Sequence, residues 1–518
     1  MSDAVQTTLI WVSVSAFVVG LTYLFSLSRR CITQPDTSTD KAVTQRAARN
    51  SILMLATSFG DRILFWLFWI VALRLLGPEG NGKYAFATNL LVYFAAATNF
   101  GLSTLVTRDV ARNPSQIEKL FGNALAIRAV LVTIAVPLMV GVAFSYWASG
   151  ALSETTVAVC GLLAISLIPN AINQSYAAIY SAYEQMGFRG ATAVGTALIT
   201  IAGGILVLLL GWGVTGLAVV ANIAGAVTFY TLARPLGFHL LGTIRKARWA
   251  EAKVMLKTSL PLMLNELLAS IFFQIDILII QPIAGATMVG KYNSAYKFIS
   301  AMAAISPAVI MPLFPAFARA RGDSSQMRLW IQRAWRPMIL LAAPAVILFT
   351  LFGREIVYTF WGDPFLPEAG TLLAVLIWVI PFLYLNGLFQ YVLIATDQLQ
   401  SIAISFSLAS VLNIALNILL LQQMGIVGAA YATVATEIVL LILFSLALRD
   451  RQSLVSPLRP SIRPIAAALL MSASALLLRE SGWVIASVTS LIIYLTAVVA
   501  TRAMTREDLQ FLRLSVRN

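Results

Sequence analysis

Fifteen apolar runs, most of them long enough to cross a bilayer as one helix, follow one another along the chain: 8–27, 51–76, 84–107, 121–147, 155–180, 191–211, 214–233, 258–281, 292–317, 337–352, 370–395, 401–421, 427–448, 464–478 and 483–500. A hydrocarbon core takes about 20 residues of helix to span, and backbone groups in lipid must be paired inside the segment that carries them. Outer-membrane strands would alternate apolar and polar residues instead, so the runs predict an all-α, polytopic membrane protein. Of 518 residues, 59% are hydrophobic and 11% charged, with a mean hydropathy of +0.84, a balance a water-soluble chain of this size would hardly sustain. Run 464–478 opens on Pro464, which the first turn of a helix tolerates, and is otherwise apolar except for Ser472 and Ser474.

A net charge of +14 would point to nucleic acid in a soluble protein, but placement decides otherwise. Twenty-eight of the 36 Lys and Arg residues fall in every second loop, whereas the intervening loops hold only Lys83, Lys291, Arg354 and Arg479. Lys and Arg accumulate in cytoplasmic loops, so the alternation supports the span count and leaves no nucleic-acid partner to expect. Run 8–27 follows the single charged residue Asp3 and precedes Arg29 and Arg30, the reverse of a signal peptide. It reads as a retained anchor with the N-terminus outside. No loop is long enough for a folded extramembrane domain. The expected organisation is an anchor and basic loop (1–49), a six-helix bundle (50–233), a cytoplasmic linker (234–257), a second six-helix bundle (258–448), and two extra helices with a basic tail (449–518). An even number of spans gives both halves one orientation, a parallel repeat.

The repeat leaves a local trace. Arg74-Leu-Leu-Gly-Pro-Glu-Gly-Asn-Gly-Lys-Tyr84 has an echo in Ile283-Ala-Gly-Ala-Thr-Met-Val-Gly-Lys-Tyr292, in which Gly77 matches Gly285, Gly82 matches Gly290, and Lys83-Tyr84 matches Lys291-Tyr292. Both copies lie between apolar runs, and both are expected to reverse the chain there, with Gly supplying permissive backbone.

Several stretches carry a resemblance beyond periodicity. They are Leu73 to Tyr84, Asn99-Phe-Gly-Leu-Ser-Thr104, Arg108-Asp-Val-Ala-Arg112, Asp276-Ile-Leu-Ile-Ile280, Gly290-Lys-Tyr292, Asn386-Gly-Leu-Phe-Gln390, Leu412-Asn-Ile-Ala-Leu-Asn417 and Gly428-Ala-Ala-Tyr-Ala-Thr433. In that order, over roughly residues 50–515, the chain resembles the bacterial polysaccharide (O-antigen type) flippases of the MOP superfamily. The resemblance implies two six-helix bundles facing each other in a V, extra C-terminal helices, and movement of a lipid-linked oligosaccharide across the bacterial inner membrane by alternating access. Its expected partners are that lipid-linked glycan, membrane lipid and a polysaccharide polymerase. The anchor at 8–27 departs from the family pattern.

Charges deep in a bilayer are costly, at least about 2.5–3.5 kcal/mol on insertion scales, and mark functional candidates. Asp61 and Arg62 lie deep in the run 51–76; Glu266 and Asp276 occupy the run 258–281; Lys297 follows the second turn. These five are the candidate substrate-path residues; the competing readings are a structural interhelical pair for Asp61 and Arg62, solvation near the outer end for Asp276, and a stem reaching the outer interface for Lys297. Arg74 and Arg128, near run ends, are expected to snorkel to the interface, and Glu437 to make a structural hydrogen bond. Asn99, Asn173, Gln174, Asn265, Gln274, Asn386, Gln390, Asn413 and Asn417 either meet sugar hydroxyls or join helices. Prolines within runs, among them Pro137, Pro169, Pro307, Pro312 and Pro381, favour bends.

The leading expectation is therefore a flippase, not an enzyme. The alternatives are an ion-coupled multidrug exporter of the same superfamily, kept open by Asp61, Glu266 and Asp276, and a membrane polysaccharide polymerase, for which the outward loop 353–369 offers no recognisable catalytic pair. No Gly-x4-Gly-Lys-Ser/Thr pattern occurs, so ATP hydrolysis is not expected, and proton or sodium coupling through a buried carboxylate stays open. One histidine, His239, and two cysteines, Cys31 and Cys160, offer no metal centre or disulfide framework; no cofactor is expected.

Overall fold

The computed structural model describes residues 3–29, 40–449, 458–501 and 503; the side chains of 3–9, 40–59, 61–63, 308, 449 and 458–461 lie outside the described residues. Among the described residues every regular element is helical. In chain order these are α1 (Asp3–Leu27), α2 (Asp40–Asn99), α3 (Leu102–Arg112), α4 (Ile117–Ala148), α5 (Glu154–Ile165), α6 (Leu167–Ala182), α7 (Met186–Leu209), α8 (Gly213–Leu236), α9 (His239–Gly242) and α10 (Trp249–Ala303). Then follow α11 (Ile305–Ile310), α12 (Phe314–Arg319), α13 (Ser324–Trp361), α14 (Glu368–Leu376), α15 (Val379–Ala395), α16 (Leu399–Met424), α17 (Ile426–Arg449), α18 (Leu458–Leu477) and α19 (Trp483–Ala500).

Among the described residues, twelve helical stretches are long and apolar enough to cross a membrane. Two of them, Leu64–Arg112 and Trp249–Arg319, run to 49 and 71 residues, about two crossings or more at 1.5 Å per residue. Each holds one glycine with non-helical backbone, Gly77 (φ 66°, ψ −180°) in α2 and Gly285 (φ 78°, ψ 173°) in α10. Dividing the stretches there, and adding the shorter apolar stretch Ile462–Leu477, recovers the fifteen crossings read from the sequence. The turn at Gly77 reverses the chain: Trp69 and Tyr84, far apart along a straight helix, bring their rings to 6.0 Å. The backbone turns at matching glycines of the two copies because positive φ costs glycine nothing.

Other runs break where prolines allow. Run 155–180 divides at Ser166 into α5 and α6, with Pro169 in the first turn of α6; run 292–317 divides around Pro307 and Pro312; run 370–395 divides before Pro381. Proline is tolerated in a first turn, where its missing N–H leaves no bond unmade. The polar segment 318–336, read as a loop, is helical from Ser324 onward. Asp323 caps that helix by accepting from the amides of Ser325 and Gln326, and the added turns carry Arg328, Arg333 and Arg336.

The chain divides into two compact units, Met1–Gly290 and Lys291–Asn518. In the first, α1 lies along α7. A Cβ at Gly195 would come within 2.7 Å of Leu24, one at Gly203 within 3.1 Å of Phe17, and one at Gly20 within 3.1 Å of Ile199. Small residues let backbones approach where lipid gives no hydrophobic drive to association. The Phe25 ring meets Tyr230, and Arg234 donates to the Ser28 hydroxyl at 3.3 Å, so this first helix is an integral member of its bundle. In the second unit, α13 carries the C-terminal pair: Tyr494 donates to the carbonyl of Leu340 at 2.8 Å, and Ala467 and Met471 are fully buried beside it.

Candidate functional site

The first unit holds a polar cluster where three helices meet a broken one. Helix α2 ends at Asn99; Phe100 (φ 50°) and Gly101 (φ 68°) are left-handed, and α3 begins at Leu102 with no side-chain cap. Gly101 is needed for two reasons, its backbone sign and its closeness to α10, since a Cβ there would lie 2.6 Å from the Leu262 side chain and 3.1 Å from the Ser259 carbonyl. Behind the break stands Arg128 of α4, which is 0% exposed. Its Nη2 donates to Asn99 Oδ1 and Ser103 Oγ, both at 2.8 Å, and its Nη1 donates to the Ser175 hydroxyl of α6. Its Nε has no acceptor. Ser103 donates in turn to Asn99 Oδ1 at 2.7 Å and lies 3.1 Å from Gln174 Oε1, whose amide reaches Asn170. Asn99 Nδ2 donates to Glu266 Oε2 of α10 at 3.1 Å.

Arg128 therefore does not snorkel. Its place seven residues into its run suggests reach to the interface, yet the polar faces of α2, α3 and α6 surround it. A buried charge needs hydrogen-bond partners, and Asn99, Ser103 and Ser175 supply them from three other helices. Which helices would be neighbours was not visible in the spacing; the available signal was an unusual density of Asn, Gln and Ser at 99, 103, 170, 174 and 175 within apolar runs.

Of the five sequence-derived candidates, Asp61 and Arg62 lie outside the described residues. Glu266 joins the cluster through Asn99 and is exposed. Asp276, two to three turns further along α10, is 2% exposed and near enough to Tyr93 to act on it electrostatically. Lys297 lies past the Gly285 turn of α10 and is half-buried in the second unit, whereas Glu266 and Asp276 precede that turn on the stretch facing α2.

The second unit has its own buried pair. Asn386 of α15 donates to Glu437 of α17, to its carboxylate at 2.6 Å and its backbone carbonyl at 2.9 Å, and Glu437 is 2% exposed. Nearby on α16, Asn413 donates to Thr436 at 3.2 Å and Asn417 donates to Asn413. Asn386 and Asn413 join helices, as does the structural bond expected of Glu437, whereas these bonds of Asn417 stay within α16.

The family model described as "Polysaccharide biosynthesis protein" matches residues 47–321, more than half of the chain and all of the helices that build the Arg128 cluster. The chain belongs to the polysaccharide biosynthesis protein family. A second model, MatE, matches residues 261–419 of this family member. The "Probable low-salt glycan biosynthesis flippase Agl15" of Haloferax volcanii is 25% identical over 389 residues, which are 74% of this chain and 80% of the relative. Among solved structures, the lipid II flippase MurJ in an inward closed conformation superposes with a TM-score of 0.73 at 14% identity, over 88% of this chain and 100% of that one. An inward-facing multidrug resistance MATE transporter of the MOP superfamily gives 0.63 at 17% identity, over 83% and 98%. At these identities the superpositions establish the fold. In this chain the Asn99-Phe-Gly-Leu-Ser-Thr104 stretch is the helix break itself, and the Gly-rich stretch Arg74–Tyr84 holds the turn that precedes it.

Proposed function

We propose that this chain is a flippase that carries a lipid-linked oligosaccharide or polysaccharide precursor across the bacterial inner membrane by alternating access. The observation that carries this reading is the polysaccharide biosynthesis family match, supported by a flippase relative aligned over most of the chain. Nothing in it requires bond chemistry, and the fold is one that other transporters use. The substrate path is assigned to Asp61, Arg62, Glu266, Asp276 and Lys297. Glu266 is the best supported: it is exposed on a helix whose flanking residues Leu262 and Leu264 are exposed too. A carboxylate facing hydrocarbon would cost several kcal/mol, so Glu266 is assigned to the wall of a water-filled cavity. Arg62 and Lys297 would hold the anionic headgroup, and the Asn and Gln side chains the sugars. Proton or sodium coupling would use a buried carboxylate; Asp276 and Glu437 are both nearly inaccessible. A polysaccharide polymerase is the proposed protein partner.

The test is genetic. Deleting the gene should abolish the surface glycan and leave its lipid-linked precursor on the cytoplasmic side, wild type should restore export, and Arg62→Ala should fail at normal protein levels. Full complementation by Arg62→Ala would remove that residue from the path. The second reading, an ion-coupled multidrug exporter, is favoured by the MatE match and would show as resistance to cationic drugs in a pump-deficient host.

A further inference from the structure

The break between α2 and α3 combines two features that each call for an anion. Helix α3 is eleven residues long and starts without a side-chain cap, so the amides of its first turn lack intrahelical acceptors and carry the positive end of its dipole. Arg128 reaches the same first turn, 2.8 Å from Ser103 Oγ, completely buried. All of its acceptors are neutral, its Nε has none, and among the described residues no carboxylate lies within ion-pair distance. A buried guanidinium and a helix N-terminus at one point concentrate positive potential that no ion pair among the described residues balances.

Among the described residues, the negative charge that acts on Arg128 is Glu266, held one residue away through Asn99. Asn99 turns its Oδ1 toward Arg128 and Ser103 and its Nδ2 toward Glu266, so the amide is polarised from behind and offers its N–H outward. The close contact of Gly101 with Leu262 keeps the break against α10, and Glu266 sits one turn further along that helix. Glu266 is exposed, on a flexible side chain, with one bond to the cluster. A helix staple would need no charge at position 128 and no carboxylate at its edge.

We propose that the Asn99–Gly101 break is a receiving site for a phosphate-class anion, and that Glu266 occupies it as a tethered stand-in which the incoming anion displaces. Arg128 acts through Asn99 and Ser103 as a positioning residue. Resting on the flippase reading, the anion is the diphosphate of the lipid-linked glycan.

The test uses the full chain in nanodiscs of zwitterionic lipid, titrated in separate arms with inorganic pyrophosphate and with a short-chain prenyl diphosphate. Glu266→Gln should tighten binding about five-fold or more, the size of a typical coupling between competing sites, and Arg128→Gln should weaken it by at least as much. Tightening in both arms identifies phosphate recognition, and tightening only with the prenyl diphosphate identifies the lipid headgroup; either supports the site. Unchanged or weaker binding by Glu266→Gln in both arms overturns it. Since Arg128→Gln could fail to fold, the exposed Glu266→Ala serves as a second variant with the same expected direction. An Arg128→Gln protein of lower thermal stability but unaltered affinity also overturns the proposal, because a staple alone would behave so. Failure here with glycan export intact in cells leaves the flippase reading standing, whereas drug export without glycan export overturns that reading whatever the titration gives.

Discussion

Gly82 and Gly290, equivalent positions of the two sequence copies, meet backbone to backbone. A Cβ built on Gly82 would fall on the carbonyl oxygen of Ala286, and one built on Gly290 would fall on the carbonyl oxygen of Pro78; each would also lie 2.9 Å from the other glycine's nitrogen. Pro78 and Ala286 are themselves equivalent in the repeat, so the crossing is symmetric about the point where the glycines touch. Such contacts admit Cα–H···O interactions between helices. One departure from symmetry adds a bond: Asn81 donates to the Gly290 carbonyl at 2.7 Å, where the second copy has Val289.

Because the obstructing atoms are backbone, the crossing cannot relax by turning a side chain. Gly82→Ala and Gly290→Ala should each destabilise the protein by about 3 kcal/mol or more, at or beyond the upper end of ordinary overpacking. Gly141→Ala is the control, since nothing lies within 4 Å of its added Cβ. Thermal unfolding in detergent should show large losses for the first two variants and none for the third.

The first helix should detach when its seat is filled. Gly195→Leu places a branched side chain where Leu24 and Tyr23 now lie. A Phe25→Cys, Tyr230→Cys pair, whose native rings are 5.4 Å apart, should crosslink in the wild-type background and lose the crosslink with Gly195→Leu, if the packing of α1 on α7 and α8 is as described.

The Asn386–Glu437 pair should show the asymmetry of buried polar groups. Asn386→Leu leaves the carboxylate without its amide donor and should cost about 1–3 kcal/mol, whereas adding Glu437→Leu should recover most of the loss. A double-mutant cycle by chemical denaturation measures the difference; a loss in the double variant equal to the sum of the two single losses would mean that the pair is not coupled.

What the sequence made legible follows from what is local. Run lengths, basic loops and the echo of Gly77 and Gly82 in Gly285 and Gly290 depend on neighbours along the chain, and the helices turn at those glycines. Asp323, too, is a local signal: an Asp followed by Ser-Ser-Gln caps a helix, which is why 324–336 is helical where polarity alone suggested a loop. Arg128 was not legible because its environment is assembled from Asn99, Ser103 and Ser175, and apolar periodicity does not say which spans lie side by side. The break at Phe100 was equally hidden, since a left-handed phenylalanine leaves no mark beyond the Gly101 that follows it.

The central claim is transport of a lipid-linked glycan, and reconstitution tests it most directly. Purified protein should be placed in proteoliposomes carrying a fluorescent lipid-linked oligosaccharide on both leaflets, and exchange followed by the fraction open to an impermeant quencher. The account predicts protein-dependent exchange that approaches completion and falls when Arg62 is replaced by Ala. Exchange no faster than in protein-free vesicles, with uptake of a cationic dye in the same preparation, would contradict it.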